Sequence, residues 1–291
     1  MEERVLKKPT WLKQRVCNNE TYQNVRGLVQ GLHLHTVCES ANCPNIGECF
    51  GHKTATFLIL GGICTRACKY CAVPKGRPEV LNPDEPQNLA EAAAHLGLRH
   101  VVITSVTRDD LPHGGAEQFA KCIEAIHQTS PQTTVEVLTP DFKGNIIAIN
   151  MVLQAGPTVF NHNIETVARL FPTIRPIADY QQSLDVLQYA HTARPDILTK
   201  SGIMVGLGET VDELQEAFQD LYDAGVSILT VGQYLRPSPQ HAPVAEYVTP
   251  EQFESYREMA LDIGFKHVVS GPLVRSSYHA SLALHTCLHN S

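Results

Sequence analysis

The stretch TATFLILGGICTRACKYC, residues 54–71, joins an apolar run to a loop with three closely spaced cysteines. The apolar run TATFLILG has the length of a buried strand, and further runs of the same character follow it along the chain. They are HVVITSV (100–106), TTVEVLT (133–139), PTVFNHN (157–163), ILTKSGIMVG (197–206) and VSILTVGQ (226–233). Amphipathic stretches separate these runs, which predicts repeated strand–helix units with a parallel sheet.

Two stretches between the predicted strands have clear helical periodicity. In ETVDELQEAFQDLYDAG (209–225) apolar residues recur at three- and four-residue steps, and Gly225 provides a stop. In GGAEQFAKCIEAIHQ (114–128) the apolar face includes Cys122, which we interpret as a small core residue. Six strand–helix units are too few for an eight-stranded barrel, so the sequence predicts an α/β fold, a partial (β/α)6 barrel of the TIM type. Chemistry in such folds sits at the carboxyl ends of the strands.

The two ends of the chain lack this pattern. Residues 1–53 are polar and rich in turn formers, and we interpret them as an N-terminal extension. The predicted barrel covers residues 54–265, and residues 266–291 form a short C-terminal extension. Cys17 and Cys287 lie in these extensions, and the sequence assigns them no role.

The composition excludes several classes of protein. Basic side chains number 23 against 30 acidic ones, and the formal net charge of −7 has the wrong sign for non-specific binding to nucleic acid. The apolar runs are too short to span a membrane, and the first sixteen residues hold no apolar signal core. We therefore expect a cytoplasmic protein that binds neither nucleic acid nor membranes. Nine cysteines in a reducing compartment indicate metal ligation or redox chemistry rather than disulfides.

The motif CTRACKYC places Cys64, Cys68 and Cys71 on one loop directly after the first predicted strand. Three thiolates this close can bind one inorganic centre, whereas a tetrahedral structural zinc ion needs a fourth ligand. A four-iron cluster held by three thiolates leaves one iron open to a small ligand, which suits catalysis. The alternative is a zinc knuckle completed by a distant residue.

A second group of cysteines lies in the predicted N-terminal extension, in CESANCPNIGEC. Four and then five residues separate Cys38, Cys43 and Cys49. A four-iron centre at this position needs one more protein ligand or an open site. A zinc site completed by His33 or His35 is the alternative.

Several segments together resemble the lipoyl synthase family of radical S-adenosylmethionine enzymes. The resemblance begins with CESANCPNIGEC and ATFLILGGICTRACKYCAVPKGRP and covers roughly residues 30–280. CxxxCxxC alone specifies the superfamily, whereas the upstream cysteine triplet and RSSY are specific to this activity. The later matching segments are TSVTRDDLPHGGA (104–116), FNHNIETV (160–167), TKSGIMVGLGET (199–210), VGQYLRPSPQHAPVAEYVTPEQF (231–253) and GPLVRSSYHA (271–280).

The resemblance implies two 4Fe-4S clusters. The first is held by the CxxxCxxC cysteines and binds S-adenosylmethionine, whose reductive cleavage gives a radical that abstracts hydrogen from an unactivated carbon. The second, auxiliary cluster is held by the upstream triplet and by Ser277 of RSSY, and in the family it donates sulfur to C6 and C8 of an octanoyl chain. Ser276 is the competing serine ligand, and a turn in the tail is the alternative interpretation of RSSY.

The resemblance also implies contacts to S-adenosylmethionine at the strand ends. We expect Tyr70 beside the adenine, Met204 in the adenine pocket and Thr104 facing the methionine amino group. Candidates for ribose and carboxylate contacts follow the fourth predicted strand and are Asn163, Glu165 and Arg175. Ordinary loop or strand-end packing is the alternative for each of these residues.

The partners that the resemblance implies are octanoylated lipoyl-carrier proteins, namely the glycine cleavage H protein and the E2 subunits of 2-oxoacid dehydrogenases. It also implies a ferredoxin or flavodoxin as reductant and an iron–sulfur carrier protein. Two other functions stay open as alternatives. One is another sulfur-inserting radical enzyme such as a biotin synthase, and the other is a two-cluster electron carrier, which does not need six strand–helix units.

Overall fold

The fold is built on one sheet, whose strands follow each other in the order of the chain. The computed structural model describes residues 6–13, 20–40, 43, 45–51, 56–278 and 280–289. Within these residues β1 is antiparallel to β2, and each later strand is parallel to the one before it. The eight strands are His35–Thr36 (β1), Thr56–Ile59 (β2), His100–Ser105 (β3), Thr134–Leu138 (β4), Val159–Asn161 (β5), Leu198–Val205 (β6), Ile228–Gln233 (β7) and His267–Gly271 (β8).

The predicted partial barrel of parallel strands is confirmed. Each of the six predicted runs contains one of the strands β2 to β7, and within the described residues β1 and β8 are the two unjoined edges of the sheet. The sequence pattern missed β8, which adds a seventh parallel strand inside the predicted C-terminal extension. The reason is that His267–Gly271 has only two consecutive apolar residues and one fully buried position, so it lacks the strong signal of an internal strand.

Helices cover the outside of the sheet. The two periodic windows form α5 and α9, and α9 begins with a capping box in which Thr210 and Glu213 bond each other's backbone amides. No helix in the described part of the chain combines the length and apolarity that a membrane crossing requires. The helices are Glu20–Gly31 (α1), Val37–Ser40 (α2), Ile46–Gly51 (α3), Glu85–Leu96 (α4), Ala116–Thr129 (α5), Ile146–Gln154 (α6), Phe171–Ile174 (α7), Tyr180–Ala193 (α8), Val211–Asp223 (α9), Pro250–Ile263 (α10) and Ala280–His289 (α11), with 3₁₀ turns at Thr10–Leu12 and Phe142–Gly144.

The two faces of the sheet differ in chemistry because side chains alternate along each strand. The outer face is apolar and packs under the helices, and Cys122 of α5 is fully buried there, as interpreted. The inner face carries polar side chains among apolar ones, at register positions that place them on the same side of the sheet. These polar residues are Thr56, Thr104, Glu136, Asn161, Lys200 and Thr230.

The amino end of this interior is closed by a buried ion pair and by a helix. Lys200 Nζ lies 2.8 Å from Glu136 Oε1, and Asn161 donates a hydrogen bond to the same oxygen at 3.1 Å. Burial alone would raise the pKa of Glu136, but the Lys200 charge outweighs it and the pKa falls to about 2. Helix α11 packs against the first residues of β6 and β7, with Cys287 buried in the contact. The open end of the interior is therefore the carboxyl end of the strands.

A chain segment spans the gap between the two edges of the sheet. Residues 272–278 leave β8 and reach the start of β2, where Thr56 Oγ1 donates a hydrogen bond to Ser277 Oγ at 2.8 Å. On the way the Val274 carbonyl crosses Gly232 of β7, where an added Cβ would lie only 2.2 Å from that oxygen. A side chain at this position would block the crossing. This segment brings the end of the chain to the cysteines near its beginning.

Candidate functional site

The cysteine loop after β2 is fixed by contacts to distant parts of the chain. The Lys69 amide donates a hydrogen bond to the Ile174 carbonyl at 2.9 Å, and the Lys69 carbonyl accepts one from the Ala242 amide at 2.8 Å. A ring nitrogen of His241 lies 3.0 Å from the Cys71 carbonyl oxygen. The loop carries the three half-buried cysteines of the motif, Cys64, Cys68 and Cys71.

Arg66 anchors this loop to the ends of two strands. Its side chain is almost fully buried, and it donates paired hydrogen bonds to both Asp109 and Asp141 at 2.7–2.9 Å. Burial would raise the pKa of Asp141, but the bonds and charge of Arg66 hold it well below its usual range. Forked contacts of this kind are strong and directional. We did not predict Arg66 from the sequence, where its position inside the cysteine motif was the available signal.

The pKa values of two thiols in the loop are raised, so these thiols ionise when a positively charged centre binds. Burial raises the pKa of Cys68, and burial together with the neighbouring thiolates raises the pKa of Cys71 to about 11. Without a bound cation these thiols hold their protons at neutral pH, since metal binding is what releases them. The backbone amides of Arg66 and Thr107 lie 3.4 and 3.3 Å from Cys64 Sγ, where they can donate to a thiolate.

Polar residues that the sequence singled out meet at the carboxyl end of β5. Arg175 Nη1 donates a hydrogen bond to the Asn163 carbonyl at 2.9 Å, and Asn163 Nδ2 donates one to Glu165 Oε1 at 3.2 Å. Burial raises the pKa of Glu165, which Arg175, Asn163 and Tyr70 lower in part. Glu165 also has a φ of 70°, which residues other than glycine rarely adopt. These four predicted residues therefore form one compact polar group.

Three buried polar atoms in this region have no hydrogen-bond partner among the described residues. They are His162 Nε2, Asn163 Oδ1 and Arg175 Nε. Buried polar atoms in proteins are nearly always paired, so unpaired ones indicate a place for a polar ligand. Sequence reasoning did not select His162, although it lies within the matching segment FNHNIETV.

An apolar group borders these polar residues. Tyr70 and Met204 contribute to it, together with the buried side chains of Leu207 and Tyr234. The Met204 amide donates a hydrogen bond to the Glu165 carbonyl at 2.9 Å, which joins the apolar and polar parts. Thr104 lies on β3 with its side chain on the same inner face of the sheet, but its hydroxyl is bonded to the Leu138 carbonyl at 3.0 Å. Thr104 is thus the predicted contact residue that stands apart from the group.

The second group of cysteines lines a separate cavity near the start of β2. The cavity is small and partly open to solvent. Of the two neighbouring serines in RSSY, Ser277 lines this cavity and Ser276 is not among the lining residues. The lining residues come from both ends of the chain and are Cys38, Cys43, Asn45, Cys49, Thr56, Arg275, Ser277 and Tyr278.

Hydrogen bonds hold the two ends together around this cavity. Asn45 Nδ2 donates to the Leu273 carbonyl at 2.7 Å, and the Tyr278 hydroxyl donates to Glu48 Oε1 at 3.1 Å. The bond from the start of β2 to Ser277 is the third such link. The cavity is therefore assembled by long-range contacts rather than by one loop.

The cavity thiols also need a cationic centre to ionise. Burial raises the pKa of Cys38 to about 11, and burial with the two neighbouring thiolates raises that of Cys49 to about 12. The histidines considered as ligands for a zinc ion, His33 and His35, are both exposed and do not line the cavity. The hydroxyl of Ser277 does line it.

Neither group of cysteines matches a preformed site for a single metal ion. Within the described residues, no set of three or more His, Cys, Asp or Glu side chains is placed to hold one ion. A zinc ion requires thiolate sulfurs at about 2.3 Å, so its ligands must converge closely. Cysteines that share one site without converging on a single point fit a multi-atom cage better than one zinc ion.

Comparison of the sequence with known proteins gives consistent matches. The family model described as Radical SAM superfamily matches residues 58–221. A lipoyl synthase from Caldanaerobacter subterraneus subsp. tengcongensis is 57% identical, over 96% of this chain and 98% of its own. A lipoyl synthase from Rubrobacter xylanophilus is 56% identical over 94% and 85% of the two chains. A lipoyl synthase from Thermus thermophilus is 55% identical over 94% and 85%.

Comparison of the structure with solved structures shows the same fold at low sequence identity. Methylornithine synthase superposes with a TM-score of 0.54 at 12% identity, over 87% of this chain and 82% of its own. Streptococcus suis SuiB bound to S-adenosylmethionine superposes with a TM-score of 0.55 at 10% identity, over 75% and 50%. These neighbours support the architecture of the barrel.

Proposed function

The chain belongs to the lipoyl synthase family of the radical SAM superfamily, and on this premise we propose how its two groups of cysteines share one reaction. It is a radical S-adenosylmethionine enzyme that uses a 4Fe-4S cluster. Its reaction inserts two sulfur atoms, at C6 and C8 of an octanoyl-lysine on a lipoyl-carrier protein. The identity to lipoyl synthases over nearly the whole chain rules out the biotin synthase-like and electron-carrier alternatives.

In this proposal the loop after β2 holds the cluster that supplies the electron for cleaving S-adenosylmethionine. Arg66 fixes the position of the loop, and with it the three thiols, relative to the ends of the strands. Arg175 offers a forked donor to the methionine carboxylate, and Tyr70 and Met204 form the apolar wall for the adenine. Asn163 and Glu165 complete the polar contacts, and Thr104 is a candidate contact that lies apart from them on β3. The unpaired buried atoms of His162, Asn163 and Arg175 support a polar ligand at this position.

The separate cavity holds the second, auxiliary 4Fe-4S cluster, which supplies the sulfide for the product. Its ligands are Cys38, Cys43, Cys49 and Ser277. One observation carries this assignment, because three cysteines from the beginning of the chain and a serine from its end line the same cavity. A serine oxygen is a harder and weaker ligand for iron than a thiolate, so Ser277 would be the most easily released ligand of this cluster.

The division of the chain and its partners complete the proposal. Residues 1–53 and 266–291 supply the auxiliary ligands, although β8 within the latter belongs to the sheet, and residues 54–265 supply the site of radical formation. The carriers are the glycine cleavage H protein and the E2 subunits of 2-oxoacid dehydrogenases. A ferredoxin or flavodoxin delivers electrons, and an iron–sulfur carrier protein rebuilds the auxiliary cluster.

Reconstitution with iron and sulfide in the absence of oxygen tests the two clusters. We expect roughly eight irons per chain, as two four-iron clusters require, and 5′-deoxyadenosine formation that rises when an octanoyl-lysine peptide is added. About one zinc per chain without cluster absorbance would overturn the proposal.

Two substitutions separate the roles of the clusters. Cys68→Ala should abolish cleavage of S-adenosylmethionine, whereas Cys43→Ala should leave cleavage intact and stop sulfur transfer. Cys122→Ala is the matched control, since Cys122 lies in the core away from both sites and its variant should keep both reactions. Equal loss of both reactions in folded Cys43→Ala protein would contradict the division of roles.

A further inference from the structure

Arg275 is a partly buried cation that lines the cavity of the second cysteine group. Among the described residues its guanidinium donates one hydrogen bond, from Nη1 to the adjacent Val274 carbonyl at 2.6 Å, and forms no ion pair with a carboxylate. Removing a guanidinium from water without a negative partner is costly. An anion in the cavity would therefore stabilise this guanidinium.

The position of Arg275 is set by the segment that crosses the open side of the barrel. An added Cβ on Gly232 would lie 3.6 Å from Arg275 Nη1, so the guanidinium lies against the carboxyl-terminal half of β7. It interacts electrostatically with Cys43 of the cavity and with Glu165 of the polar group at β5. Arg275 thus lies between the two sites of the enzyme.

The proposed occupant of the cavity supplies the missing negative charge. Three thiolates outweigh the positive charge of a four-iron, four-sulfide core in its ordinary oxidation states, so the liganded centre is an anion. Reduction by one electron makes it more negative. The net charge and its surroundings are among the factors that set the reduction potential of such centres.

We propose that Arg275 is the counter-ion of the auxiliary centre and faces it from the side of the radical-forming site. This inference rests on the proposed function, because it requires an auxiliary 4Fe-4S cluster in the cavity. Arg275 acts as a positioning residue that stabilises the anionic centre and raises its reduction potential. The side of the centre that meets the substrate is therefore also the side on which added negative charge is stabilised.

Redox titration of the auxiliary centre alone tests the proposal. A chain with Cys64, Cys68 and Cys71 replaced by Ala should retain about four irons, and its electron paramagnetic resonance signal then reports one centre. In this background Arg275→Met should shift the midpoint potential to more negative values, and Arg275→Lys should restore most of the shift. Arg257→Met, which removes an exposed arginine on α10, should leave the potential unchanged.

The outcomes distinguish this inference from the proposed function. Arg275→Met with the iron content and potential of the background protein overturns the role of Arg275 and leaves the two-cluster assignment standing. If Arg275→Met fails to hold iron, retention of about four irons by Arg275→Lys supports the counter-ion role. Equal failure of both variants contradicts it. A background protein that binds no iron overturns the auxiliary centre and the inference together.

Discussion

Each of the two cysteine groups brings three cysteines together, but one is built from a single loop and the other from both ends of the chain. The loop after β2 takes its three cysteines from eight consecutive residues and is held in place by Arg66 and by backbone bonds. The cavity near β2 collects its lining from both ends of the chain, and its integrity depends on hydrogen bonds between residues more than two hundred positions apart. A site built from one loop is visible in sequence, whereas a site built by closure of the chain requires the fold.

The difference also has a chemical side. In the loop the one charged side chain between the first two cysteines is fully engaged with two carboxylates and has no capacity left for a ligand. In the cavity the charged side chain, Arg275, forms no direct ion pair with a carboxylate among the described residues. The first arrangement fixes geometry, and the second leaves a charge available to an occupant. The loop is thus suited to a permanent centre and the cavity to one whose charge and composition change.

The largest expected effect comes from breaking the anchor of the loop. Arg66→Met leaves the buried carboxylate of Asp141 without its cation, and removal of one partner from a buried ion pair costs about 3–5 kcal/mol of unfolding free energy. Cleavage of S-adenosylmethionine should be lost and the iron content should fall from about eight to about four per chain, because the cavity does not depend on Arg66. Urea unfolding and iron analysis measure both effects.

Two further variants make the Arg66 result specific. Arg66→Lys keeps the charge but cannot hold both carboxylates with forked bonds, so it should recover only part of the activity. Arg169→Met removes an exposed arginine that pairs with Glu213, and it should change neither iron content nor cleavage. Full iron content and normal cleavage in Arg66→Met would show that the loop does not need its anchor.

The next largest effect tests closure of the cavity from the end of the chain. Ser277→Ala removes the proposed fourth ligand and the hydrogen bond with Thr56, so the auxiliary centre should become labile and little thiolated product should form. Cleavage of S-adenosylmethionine should persist. Ser276→Ala is a closely matched control, because the neighbouring serine does not line the cavity and its loss should leave product formation near normal. Unchanged turnover in Ser277→Ala would assign the fourth ligand elsewhere.

The smallest expected effect concerns the polar group beside the loop. Burial and the Arg175 charge lower the pKa of His162 from its ordinary value of 6.5 to about 4, against the opposing effect of Asp141. The unfolded chain therefore binds more protons between these values, and stability falls as the pH drops through this window. One pKa unit corresponds to about 1.4 kcal/mol, so the loss attributable to His162 reaches up to about 3 kcal/mol near pH 4.

Urea unfolding of cluster-free protein between about pH 7 and pH 4.5 measures this contribution. His162→Gln should unfold with a shallower dependence on pH than the wild type. His95→Gln replaces an exposed histidine on α4 and should keep the wild-type dependence. Parallel curves for His162→Gln and wild type would show that His162 is not held neutral by the fold.

Local signals made much of the fold predictable from sequence. Apolar runs in the sequence predicted the buried strands. The sequence of α9 has apolar residues at helical spacing, a capping residue at its start and a glycine after its end. The loop of Cys64, Cys68 and Cys71 followed directly from its spacing. The sequence did not predict β8. This strand lies at an edge of the sheet and mixes polar and apolar residues, so it shows neither alternation nor a continuous apolar run.

The rest of the site depends on contacts that no local pattern encodes. Asp141 meets Arg66 across 75 residues of sequence, and Ser277 meets Thr56 across 221. From residue types alone, RSSY was better explained as a turn, and the resemblance to a family identified Ser277. Arg275, in the same motif, was overlooked because its significance lies in the partners that it lacks. Cys17, to which the sequence assigned no role, lies outside the described residues.

The links between Asn45 and Leu273 and between Tyr278 and Glu48 contain no proposed iron ligand. Loss of sulfide from the proposed auxiliary centre would therefore leave both bonds intact, and the two chain ends would stay docked beside each other. Repair then reduces to delivering iron and sulfide to side chains that already stand in place, without refolding of either terminus. In the proposed two-cluster enzyme, these two hydrogen bonds would keep the ligand side chains close together between catalytic cycles.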